Sequence, residues 1–131
     1  MRPICSSCGA NLLPATPTQA VKRNQSTAPP GFDSKRLHII ELGPEIAAME
    51  GYGLRMSRVT VAPEAIFGAH SHFGQPEIIY VVEGFLTEER NGGPANDFGP
   101  GSVLVMTKEV VHALSNRSAS PVIYMSTSVK Q

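Results

Sequence analysis

Between residues 36 and 129, seven short runs rich in β-branched and aromatic residues alternate with turn-forming segments. The runs are RLHIIEL (36–42), GLRMSRVTVA (53–62), IFGAHSH (66–72), EIIYVVEGFLTEE (77–89), GSVLVMT (101–107), VVHALSN (110–116) and PVIYMSTSV (121–129). APEA, FGQP, NGGPAND, FGPG and NRSAS supply the turns between them. The 12 glycines and 11 prolines exclude a helical bundle, because both residues damage helix interiors. Only PEIAAME (44–50) fits a short helix. Seven strands at this spacing predict an all-β sandwich or barrel.

A chain of 131 residues is sized for one hydrophobic core. Residues 1–34 differ from the rest of the chain: Pro3, Pro14, Pro17, Pro29 and Pro30 stand among many Ser, Thr, Asn and Gln, without periodicity. They read as a flexible N-terminal extension, with the barrel domain over 35–131. Cys5 and Cys8, in CSSCG, resemble one knuckle of a zinc ribbon, but no second pair completes four ligands.

The formal net charge is zero. Residues 1–36 hold five Lys and Arg against one Asp, +4, which leaves −4 on the remainder. Such a sparse basic segment reads as solvated, and no nucleic-acid partner is expected. No segment approaches the roughly 18 apolar residues that span a bilayer, and MRPICSSCGANLLPA does not read as a secretory signal. The expectation is a cytoplasmic protein with no membrane partner.

All four histidines fall in the strand-like runs. On a strand, His70 and His72 share a face and can chelate one ion, whereas on a helix they would diverge. Glu77 lies at an odd offset from them, but Gly74 and Pro76 let the chain reverse and return its carboxylate to the same face. His112 offers a fourth ligand from another strand. His38 is left unused.

These residues resemble the two signature motifs of the cupin superfamily. HSH, FGQP, Glu77, IIYVVE and Gly84 keep the spacing of G(X)5HXH(X)4E(X)6G, with Glu64 in place of the leading Gly and Gly68 closer in. Gly101, SVLVM, TKE, VV, His112, ALS and Asn116 keep that of G(X)5PXG(X)2H(X)3N, with Thr107 and Glu109 in place of Pro and Gly. A Glu where the motif glycine often needs positive φ implies a costly turn before His112.

The resemblance implies a jelly-roll β-barrel holding one divalent metal ion (Fe, Mn, Ni, Zn or Co) on His70, His72, Glu77 and His112. It implies a small-molecule ligand or substrate, with metal-dependent dioxygenase chemistry foremost and isomerase or lyase chemistry behind it. Non-catalytic metabolite binding or sensing is the alternative. Counting by twos from Glu77 predicts Ile79, Val81 and Glu83 on the metal side and Tyr80 outside. Ile79, Val81, Met106 and Leu114 would make the pocket apolar, and Tyr80, Tyr124, Arg58 and Glu109 are the polar residues nearest the question. The unbroken apolar runs IIYVV and VIYM imply strands covered on both faces, the outer one by a second copy in a homodimer.

Overall fold

A computed structural model describes residues 28–131. Cys5 and Cys8 lie outside the described residues, as does most of the expected extension. Its last residues lead into β1, and Phe32 is already in the core.

Among the described residues there are nine strands and no α-helix: β1 (Phe32–Glu41), β2 (Gly53–Val61), β3 (Ile66–Ser71), β4 (Glu77–Glu83), β5 (Leu86–Arg90), β6 (Ala95–Phe98), β7 (Val103–Met106), β8 (Val111–Ser115) and β9 (Val122–Lys130). They form a five-stranded sheet, β1-β2-β9-β4-β7, and a four-stranded sheet, β3-β8-β5-β6. All pairs are antiparallel. The fold is a cupin-type jelly-roll barrel, as expected. No helix among these residues is long and apolar enough to cross a membrane.

Two strands escape the sequence reading. The run 77–89 is two strands because Gly84 turns the chain at φ +82°, where an added Cβ would lie 2.7 Å from the Pro121 carbonyl oxygen. β6 takes the last residues of NGGPAND and the Phe98 of FGPG, both expected as turns. Its Asn and Asp are weak strand formers, and pairing with β5 at the sheet edge supplies what propensity does not. The expected helix over 44–50 is a series of turns, with Ala48 at φ +73° interrupting any helical path.

Inward residues of the two sheets meet in one core that includes Val59, Val61, Ile79, Val81, Leu86, Leu104, Val122 and Tyr124. Parity holds along β4 as far as Val81: Ile79 and Val81 are buried and Tyr80 is exposed, but Glu83 is also exposed, because a bulge sets two steps from Val81 to Glu83 against one from Tyr124 to Ile123 and breaks the alternation. Asn116 ties off this end. Its side-chain amide donates to the Val61 and Ser120 carbonyls, and its side-chain oxygen accepts from the Ser118 amide and hydroxyl. The outer faces of β4 and β7 carry Ile78, Tyr80, Val82, Val103 and Val105, each about half exposed in the single chain.

Candidate metal centre

A bulge in β3 aims the first two histidines. Phe67 pairs with Leu114 and His70 with His112, so three steps on β3 match two on β8. Without the extra residue, alternation from the inward-packed Phe67 would turn Ala69 and Ser71 inward and both histidines out. The same bulge orients a ring: His70 Nδ1 lies 2.8 Å from the Gly68 carbonyl oxygen. The Phe67 ring packs on His70 with centroids 4.0 Å apart.

His72 and His112 are held in the same manner. His72 Nδ1 is 3.0 Å from the Gln75 carbonyl oxygen, across a turn closed by the Gln75 amide on the His72 carbonyl. His112 Nδ1 is 2.7 Å from Glu88 Oε2. All three partners only accept, Glu88 as a carboxylate, so each Nδ1 carries the proton and each Nε2 keeps a lone pair. His72 Nε2 and His112 Nε2 face each other at 3.0 Å. Two lone pairs at that distance repel unless a cation lies against both. One nitrogen of each of His70, His72 and His112 lies within 4.8 Å of the others, so this donor set fits a divalent metal.

The electrostatics agree. Burial pushes the His112 pKa down to about 4, helped by His70 and His72 and opposed by the Glu88 hydrogen bond. Burial also lowers His70, against the pull of its Gly68 bond. Both rings are therefore neutral at pH 7, the form that ligates.

Glu77 reaches the edge of the cluster. Its Oε1 is 3.4 Å from His72 Nε2, and its Oε2 accepts a hydrogen bond from the Ser126 hydroxyl. Of the other polar residues singled out in the sequence, Arg58, Tyr80 and Glu109 are exposed. Tyr124 is buried, and burial together with the Glu77 carboxylate drives its pKa upward, so it stays protonated at neutral pH.

Glu109 does not take a left-handed φ, contrary to expectation. Thr107 donates its hydroxyl to the Glu109 carboxylate at 2.9 Å, and the Val110 amide closes the turn on the Thr107 carbonyl. A side-chain bond thus shapes a turn that Pro and Gly would otherwise shape. Glu64, at the other substituted glycine position, does take φ +66°.

Glu88 is the site residue that sequence reasoning missed. It is buried beneath His112 and also accepts from Arg90, whose Nη2 is 2.9 Å away. A charged TEER segment reads as solvated. The available signal is parity: Glu88 shares the face of the fully buried Leu86.

A family model described as a cupin domain matches residues 57–128, more than half of the chain. The chain is a cupin. Among curated proteins it is similar to germin-like protein 1 of Brassica napus, 26% identical over 81 residues, covering 59% of this chain and 39% of that protein. The chain thus spans about two-fifths of the length of that relative. Among solved structures it resembles a cupin 2 conserved barrel domain protein from Salinispora arenicola, with TM-score 0.58, 18% identity and coverage of 92% and 89%. A sugar phosphate isomerase of the cupin superfamily from Silicibacter pomeroyi gives TM-score 0.58 at 20% identity, covering 77% of this cupin and 60% of that chain. At such identities the structural likeness speaks for the fold.

Proposed function

We propose that this cupin binds one divalent cation through His70, His72 and His112, with Glu77 as the fourth protein ligand, and acts on a small organic molecule beside it. The observation that carries the reading is that every Nδ1 is committed to an acceptor, leaving three Nε2 lone pairs for one ion. A bound ion would supply Lewis acidity and a more acidic bound water or, if it is iron, access to dioxygen. The protein's part is to hold His70 and His112 neutral, to fix Glu77 through Ser126, and to keep water out with Ile79, Met106 and Leu114. Oxygenase chemistry is the first activity to test. The likeness to a sugar phosphate isomerase sets isomerisation beside it.

The same reading places a second copy on the outer face of β4 and β7. Tyr80 pairs with Val103 and Ile78 with Val105, so the exposed apolar side chains form one contiguous patch of the kind that marks an interface.

Native mass spectrometry of protein purified without added metal reads both parts. The expected species has twice the chain mass and one metal ion per chain, and His112→Ala removes the metal. Metal retained in that variant would sink the ligand assignment, and a monomer at micromolar concentration would sink the interface. Oxygen uptake by the iron-loaded protein with diketones, catechols and thiols, and isomer analysis with sugar phosphates, then test turnover. Binding of such compounds without chemical change would favour the metabolite-binding alternative.

A further inference from the structure

Inward side chains of the five-stranded sheet change character in the same order along neighbouring strands. β9 presents Val122, Tyr124, Ser126, Ser128 and Lys130. The matching positions of β2, running the other way, are Val61, Val59, Ser57, Arg55 and Gly53. β4 contributes Val81, Ile79 and Glu77 to the same rows, and β1 begins with Phe32 beside Val61 and places Arg36 beside Ser57. Apolar residues fill the first rows, Ser57 and Ser126 follow with Arg36 at their edge, and the last rows hold Arg55 and Lys130 together with Ser128 and the Glu77 carboxylate.

The register fixes where those cations stand. Glu77, Ser128 and Arg55 lie in one cross-strand row, so Arg55 is two strands from the carboxylate beside the histidines. That is about 10 Å between Cα atoms at ordinary strand spacing. Arg36, Arg55 and Lys130 together line a cleft of about 160 Å³, with Glu41 and Gln131 at its wall.

Three cations share a small space. Burial depresses the Arg55 pKa and the neighbouring Arg36 depresses it further; burial and then Arg55 do the same to Lys130, and the Glu77 carboxylate opposes both shifts without reversing them. Among the described residues the ion pairs lie elsewhere, at His72–Glu77, Arg90–Glu88, His112–Glu88 and Arg117–Glu89. An oxyanion in the cleft would relieve this repulsion and meet planar guanidinium donors suited to it.

We propose that the Arg36–Arg55–Lys130 cleft binds the carboxylate or phosphate group of an anionic small molecule whose other end lies at the histidine centre. The second half of this statement rests on the metal-centre reading; the cleft's affinity for an oxyanion does not.

The test is calorimetric titration of the full chain, metal-loaded and metal-free, with succinate, inorganic phosphate and the neutral succinamide. Succinate or phosphate is expected to bind both forms, succinamide neither, and the preferred anion separates a carboxylic acid from a phosphate ester. Arg55→Ala and Lys130→Ala are each expected to weaken binding at least about 10-fold, as loss of a charge-assisted hydrogen bond does. Arg55→Lys should recover part of the loss, and far-ultraviolet circular dichroism checks that every variant is folded. Failure of both anions to bind either form, or binding unchanged in the alanine variants, overturns the cleft. Metal uptake without anion binding overturns the cleft alone, whereas anion binding without metal uptake overturns the centre alone.

Discussion

The two ends of the barrel interior are built from the same strands and do opposite things. At the closed end, Val61, Val81 and Val122 are fully buried, and Asn116 ties the end of β2 to the loop between β8 and β9 with four hydrogen bonds. At the polar end the same strands carry Glu77, Ser126, Arg55 and Lys130, with three histidines facing them from β3, the turn after it, and β8. Stability is concentrated at one end, which lets the other hold repelling cations and lone pairs that no folding argument would select. Such a division is how a barrel positions reactive groups without losing its core.

The strongest way to break this comparison is to put the same carboxylate at both ends. Val81→Asp buries an unpaired charge against Tyr124 and should cost more than about 4 kcal/mol, enough to unfold a domain of ordinary stability. Ser128→Asp, between Arg55 and Glu77, should change stability by no more than about 1 kcal/mol, because the Arg55 cation on one side offsets the Glu77 carboxylate on the other. Urea unfolding measures both. If Val81→Asp were tolerated, the closed end would not be the stabilising one.

The ends also differ in how legible they are in the sequence. Glu77, Ile79 and Val81 follow from alternation along β4, which fails only at Glu83. His70, His72 and His112 are legible from motif spacing, but the reason they point inward is not. Strand alternation alone would have turned His70 and His72 outward from Phe67, and the one residue-type sign of the bulge is Gly68 inside the run, which does not tell which way the side chains beyond it turn. The cations at Arg55 and Lys130 are equally silent, because a charge near a strand end reads as solvent-facing. Seeing them on the inner face requires the register of β9 with β2.

Glu88 sharpens the comparison at the level of the histidines. Glu88→Gln keeps the shape and removes the charge that fixes the His112 ring through Nδ1. Divalent metal affinity should fall about 10- to 100-fold, the usual cost of losing such a partner. The fold should persist, since Arg90, the other partner, is partly exposed and loses little. Competition against a chelator of known affinity reads the change. Unaltered affinity would show that the Glu88 carboxylate does not orient the ligand.

The smallest effect is expected at the closed end, where the chain departs from the cupin motif. Glu64 occupies a motif glycine position and keeps the left-handed backbone, φ +66°, while its amide donates to the Asn116 carbonyl at 2.7 Å. That conformation costs a residue with a Cβ about 1–2 kcal/mol. Glu64→Gly removes the strain, but it gives the unfolded chain more freedom, worth roughly 0.4–1 kcal/mol in the other direction. The first effect exceeds the second, so a net stabilisation of about 0.5 kcal/mol, or roughly 1–3 °C in Tm, is expected. Glu64→Ala separates this cause from loss of the carboxylate: it removes the charge, keeps the Cβ and should leave Tm unchanged. A gain in the alanine variant equal to that in the glycine variant would place the cost in the charge. A loss in the glycine variant would mean that the closed end carries no backbone strain there.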